Sequence, residues 1–127
     1  MDNQILTGKR FLVVEYDMLI LMAIQDTLRD LGCTSVTVAA NIESALRCLA
    51  VNSFDLATLD VNLVGSLSYP VADALIARHI PFAFSTGYSE QGLKGKYEHH
   101  AVLRKPFTYL QFKEIIKNLL AEERLPF

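Results

Sequence analysis

The chain has 127 residues, 51% hydrophobic and 20% charged, which is enough for one domain with a core and too apolar for a disordered segment. Lysine and arginine number 12 against 14 acids, leaving a net charge of −2, so charge gives no case for nucleic acid or an anionic membrane as partner. No apolar run reaches the length of a membrane span, and Met1-Asp2-Asn3-Gln4 lacks the basic start and apolar stretch of a signal peptide; a cytoplasmic protein without membrane attachment is expected.

Phe11-Leu12-Val13-Val14, ending on the polar Glu15, reads as a buried strand. Leu21, Ile24, Leu28 and Leu31 recur at helical spacing and predict a helix from about Asp17 to Leu31, with Gly32 at the left-handed position that closes it. Ser35 to Ala39 alternates valine and threonine as a second strand. Cys33 and Cys48, with no CxxC and no histidine pattern around them, read as reduced thiols near the core. Asn41 is a natural N-cap for a second helix carrying Ile42, Ala45, Leu46 and Leu49 and ending near Asn52.

The stretch Asp55 to Leu63 is apolar on both faces and ends on an acid, Asp60, as a central strand of a parallel sheet does. Pro70 suits the first turn of a third helix, with Val71, Ala74 and Leu75 facing in. Pro81 to Ser85 is a fourth strand, and Ala101 to Arg104 a fifth. Between them Gly87, Gly92 and Gly95 each weaken helix by about 1 kcal/mol relative to alanine, so at most a short or frayed helix is expected there. Phe112, Ile115, Ile116, Leu119 and Leu120 mark a last helix from about Thr108 to Arg124.

Strand and helix therefore alternate five times. This pattern implies an α/β fold, a (βα)5 parallel sheet with helices on both faces. The doubly wound strand order 2-1-3-4-5, familiar from flavodoxin-like folds, is the natural solution for five units. One domain over residues 1–127, with no output domain in the chain, is the expected organisation. In such sheets chemistry sits at the carboxyl ends of the strands. Those ends offer Glu15, Asp60, Ser85-Thr86 and Lys105. A carboxylate, a hydroxyl and an ammonium meeting at one crevice suit a phosphoryl group, with the carboxylate as nucleophile and the other two neutralising its oxygens. A divalent cation held by carboxylates normally completes such a site.

Phe11-Leu12-Val13-Val14-Glu15, the stretch Asp55 to Asn62, Phe84-Ser85-Thr86-Gly87 and Lys105-Pro106-Phe107 stand in order at the spacings of a known family. Over essentially its whole length the sequence resembles the CheY-like receiver domain of two-component response regulators, a family known for the strand order given above. The run Pro81 to Tyr88 resembles the signature of the stand-alone FATGUY receivers of alphaproteobacteria, with Ser85 in place of alanine and no residue between Gly87 and Tyr88.

The resemblance implies that Asp60 is the phosphoacceptor, supplied by a histidine kinase or phosphotransfer protein. It makes Thr86 the switch hydroxyl and Lys105 the ammonium that pairs with the phosphoryl group. Gly87 and Asn62 would contribute backbone to the phosphate site, and Glu15, Asp60 and the Asn62 carbonyl would hold Mg2+. No enzyme activity beyond self-catalysed phosphotransfer and dephosphorylation is implied. A monomer or weak homodimer that signals by protein contact or by diverting phosphate is expected.

Two residues depart from the family. The second acid after the first strand is replaced by Tyr16. A phenol is neutral at neutral pH and a poor magnesium ligand, so Mg2+ binding is expected to be weakened. Asp17 is the nearest substitute, or else only a helix-terminus charge. The aromatic residue that many receivers carry three positions before the lysine is Val102 here, which removes the usual coupling of threonine to an aromatic rotamer and leaves order–disorder of Ser89 to Lys96 as one route for the signal. Tyr88 is expected to wall the site's mouth, and His79, His99 and His100 to lie on the surface or in loops. A degenerate receiver that binds partners without phosphorylation is the alternative, and a small flavodoxin-like phosphohydrolase a third. The end of the first strand has neither the glycine loop nor the paired aspartates that a phosphohydrolase would need.

Overall fold

The computed structural model describes residues 4–87, 93 and 95–123. Five parallel strands form the central sheet: β1 (Arg10–Val14), β2 (Ser35–Ala39), β3 (Leu56–Asp60), β6 (Phe82–Thr86) and β7 (Val102–Arg104). Their order is β2-β1-β3-β6-β7, the expected 2-1-3-4-5 once a small hairpin, β4 (Asn62–Leu63) and β5 (Ser66–Leu67), is set aside. The helices are α1 (Met18–Asp30), α2 (Ile42–Val51), α3 (Tyr69–Ala77) and α4 (Tyr109–Glu123).

Side chains alternate between the two faces of each strand, and the core divides accordingly. Leu12, Val14, Ala57, Leu59, Phe82 and Phe84 face Ala45 and Leu49 of α2 and Val71, Ala72 and Leu75 of α3. Phe11, Val13, Leu56, Ala83 and Leu103 face Leu21, Ile24 and Leu28 of α1 and Phe112, Ile116 and Leu119 of α4. All five residues of β3 are buried, as a strand covered on both faces requires.

Local chemistry sets the element ends. Asp17 caps α1, its carboxylate accepting from the N–H groups of Leu19 and Ile20 at 2.9 and 3.2 Å. Gly32 follows with φ +88°, a left-handed conformation that favours glycine. Asn41 and Ser44 form a reciprocal capping box at the start of α2. Pro70 lies in the first turn of α3.

The structure differs from the sequence expectations in a few places. Between the last two strands of the sheet, where the sequence allows a short fourth helix, the described residues show only a 3-10 turn at Gly95–Tyr97; residues 88–92 and 94, which include Tyr88 and most of the segment expected to switch between order and disorder, lie outside the described residues. The fourth strand of the sheet runs one residue further than its sequence suggests and takes in Thr86. Ala72 is buried on α3 whereas Ala74 is only half-buried. The hairpin after Asp60 has no counterpart in the sequence reading. His100 lies in the loop before the last strand, as expected, but is half-buried there: it stacks on Phe82 with ring centroids 4.1 Å apart, and its Nε2 lies 2.9 Å from the Phe82 carbonyl oxygen. Cys33 and Cys48 are free thiols.

Candidate functional site

Strand parity carries the chemistry to one place. Continuing the alternation beyond Val13, Leu56, Ala83 and Leu103 puts Glu15, Asp60, Ser85 and Lys105 on the α1/α4 face at the carboxyl end of the sheet. Asp60 and Ser85 are register partners on adjacent strands. Thr86 follows on the opposite parity, with Phe84, and its carbonyl accepts from the Lys105 N–H at 2.7 Å. Glu15, Asp60, Ser85 and Thr86 are all buried.

Lys105 joins the two carboxylates. Its Nζ lies 3.0 Å from Asp60 Oδ2 and 3.1 Å from Glu15 Oε1. The approach to Glu15 Oε1 is an ion pair without hydrogen-bond direction, so that oxygen has no hydrogen-bond partner among the described residues, while Oε2 accepts from Lys105 Nζ at 3.4 Å and from the Asp17 N–H at 3.1 Å. Asp60 Oδ1 accepts from the Asn62 N–H at 3.2 Å. The Asn62 side chain is engaged elsewhere, accepting from the Gly65 N–H at 2.8 Å.

Burial, and then the nearby charge of Asp60, push the Glu15 carboxyl up to about 7, with Lys105 opposing. Burial would lower the Lys105 ammonium, but the hydrogen bond and charge of Asp60, followed by those of Glu15, raise it on balance. Lys105 is therefore a permanent cation held between two acids, at a sheet edge where a developing negative charge can be neutralised.

Few residues near Lys105 are free to hold a cation. Tyr16 follows Glu15 and is 59% exposed. Asp17 spends its carboxylate on the α1 cap. Among the described residues no group of three or more His, Cys, Asp or Glu side chains is placed to hold a metal. Two carboxylates already bridged by an ammonium, plus the Asn62 carbonyl, fit a divalent cation weakly. Among the described residues no atom lies within 4 Å of where a Cβ on Gly87 would stand, and its φ is not left-handed.

A second polar cluster lies on the other face, and no motif or spacing in the sequence announces it. Tyr97 is buried, its ring stacked on Tyr69 with centroids 4.2 Å apart and edge-on to Phe84 at 6.0 Å. Its hydroxyl donates to Asp73 on α3, which also pairs with Lys96 at 3.0 Å.

The solved structures identify the fold and the family together. SdrG from Sphingomonas melonis Fr1 is 39% identical over 88% of this chain and 96% of its own, with a TM-score of 0.81; its BeF3-activated conformation aligns at 37% identity over 90% and 98%, with a TM-score of 0.77. The chain belongs to the response regulator receiver family. The receiver domain of the PhyR response regulator from Erythrobacter litoralis is 25% identical over 96% of this chain and 97% of its own, with a TM-score of 0.82. The receiver domain of the sensor histidine kinase PA1611 from Pseudomonas aeruginosa, solved with magnesium in its active-site cleft, shares the fold at 24% identity over 91% of this chain and 99% of its own, with a TM-score of 0.77. No protein-family model and no curated protein sequence matches the chain.

Proposed function

We propose that this receiver works as a stand-alone regulator in a two-component phosphorelay, accepting phosphate on Asp60 and passing the signal on by protein contact or by drawing phosphate from another regulator. The observation that carries the reading is the Lys105 ammonium 3.0 Å from Asp60 and 3.1 Å from Glu15 at the carboxyl edge of the sheet. A carboxylate oxygen of Asp60 attacks the phosphorus of a phosphohistidine on a histidine kinase or phosphotransfer protein. The oxygen–phosphorus bond forms as the phosphorus–nitrogen bond breaks, and the histidine nitrogen leaves with the electron pair. Lys105 neutralises charge on the equatorial oxygens, Thr86 offers its hydroxyl, and the backbone at Asn62 and Gly87 borders the group. Glu15, Asp60 and the Asn62 carbonyl would hold Mg2+, which would supply further charge neutralisation when bound. The donor set predicts that it binds more weakly than in receivers with a full acidic pair.

The test is intact mass after incubation with acetyl phosphate and Mg2+. Wild type is expected to gain one phosphoryl group and Asp60→Ala none. A second reading is favoured by the exposed Tyr16 and the capping role of Asp17: a receiver that binds its partner without phosphorylation. Absence of the mass gain in wild type selects it. Turnover of phosphoesters at catalytic rates would instead support a phosphohydrolase.

A further inference from the structure

Ser85 is 2% exposed and its Oγ has no hydrogen-bond partner among the described residues. A buried hydroxyl without a partner is unfavourable and calls for an explanation. Its position supplies one. Ser85 is the register partner of Asp60 on the neighbouring strand, and by alternation from Ala83 its side chain lies on the same α1/α4 face as Asp60, Glu15 and Lys105. Neighbouring strands lie about 4.8 Å apart, so register partners that point to one face are side-chain neighbours. Asp60 accepts from the Asn62 N–H on Oδ1 and from Lys105 Nζ on Oδ2, and the Ser85 hydroxyl donates to neither oxygen. A phosphoryl group on Asp60 would bring three more acceptor oxygens to the same row.

We propose, resting on the assignment of Asp60 as phosphoacceptor, that Ser85 is a second hydroxyl of the site and donates a hydrogen bond to a phosphoryl oxygen from the α1/α4 side, while Thr86 approaches from the other. No bond to Ser85 forms or breaks. The hydroxyl is a donor held ready where negative charge develops, without a competing partner among the described residues, and such donors need no reorganisation when the charge arrives. It also compensates in part for a site with one acid, and hence some cation charge, missing.

Thr58 provides an internal control. It is 1% exposed, its Oγ1 is likewise unpartnered among the described residues, and it stands on the same face of β3 two residues before Asp60, opposite Ala83. The experiment compares the rate of phosphorylation by acetyl phosphate at fixed Mg2+, followed by intact mass, in wild type, Ser85→Ala, Ser85→Thr and Thr58→Val, with thermal unfolding of each. Loss of a hydrogen bond to a charged group predicts about a tenfold slower rate for Ser85→Ala. Ser85→Thr, which keeps the hydroxyl, is expected within about threefold of wild type, and Thr58→Val at the wild-type rate on the same basis. The melting temperature of Ser85→Ala is expected to be unchanged or raised, because a group without a partner has been removed. If Ser85→Ala does not fold, Ser85→Cys, similar in size with a weak donor, is expected to show the same slow rate. A wild-type rate in the Ala or Cys variant overturns the role of Ser85 alone. Equal slowing in Ser85→Ala and Thr58→Val overturns it in favour of a general packing effect. No mass gain in wild type overturns both this role and the assignment of Asp60.

Discussion

Asp17 and Tyr16 sit side by side and have opposite fates. Asp17 has the charge a cation needs, but its carboxylate is turned to the Leu19 and Ile20 N–H groups; Tyr16, which we propose stands at a metal-ligand position, carries no charge there. Two substitutions separate these roles. Asp17→Ala is expected to cost about 1 kcal/mol of stability through loss of the cap while leaving Mg2+ affinity unchanged in a metal titration. Tyr16→Asp is expected to raise that affinity and speed phosphorylation; no gain in either would remove Tyr16 as the cause of weak binding.

Glu15 has its own signature in pH. Its folded pKa, raised to about 7, exceeds the ordinary carboxylate value, so between about 4.5 and 7 the folded chain binds more protons at this group than the unfolded chain does. The contribution of Glu15 to stability is thus full below that window and falls as pH rises through it. Glu15→Gln, measured by thermal unfolding in metal-free buffer, is expected to gain on wild type at pH 8 relative to pH 5.

Among the elements, the hairpin and the Tyr97 turn show what surrounds the site. The β4–β5 hairpin closes through Val64 and Gly65, both at positive φ, as two-residue hairpin turns of the favoured hand require. Val-Gly lacks the asparagine or aspartate that normally announces such a turn, and a β-branched residue at positive φ is unusual, which is why the sequence reads there as strand and loop. The Tyr97 turn joins α3 to the strand that ends in Thr86, through Tyr69 and Phe84. Burial, together with the bond to Asp73, pushes the Tyr97 hydroxyl up to about 12, so it remains a donor at neutral pH. Tyr97→Phe is expected to cost about 1 kcal/mol in urea unfolding. Adding Asp73→Ala to the Tyr97→Phe variant should then cost less than the same change in wild type if the two groups act as a pair.

For the whole molecule, the central strand β3 links both halves of the core: Leu59 packs toward α2 and α3 while Leu56 packs toward α1 and α4. Leu59→Ala is expected to destabilise by about 2–5 kcal/mol, with an unchanged dependence on urea if the chain unfolds as one unit; a shallower dependence would mean that the two faces unfold separately. The alternation of strand and helix, the doubly wound sheet, the cap at Asn41, the proline in the first turn of α3 and the placing of Glu15, Asp60 and Lys105 at strand ends were legible in the residues, because period, punctuation and strand-end chemistry are local properties. The tertiary structure decided what depends on neighbours distant in sequence. It left the Ser85 hydroxyl, on the strand beside Asp60, without a hydrogen-bond partner among the described residues. It placed Lys105 between two acids that lie 45 and 90 residues away, and it tied Tyr97 to Asp73 across 24. A sequence states which groups each strand carries to the sheet's edge; only the packed sheet, through register and burial, determines which of them meet, which are already engaged and which remain available.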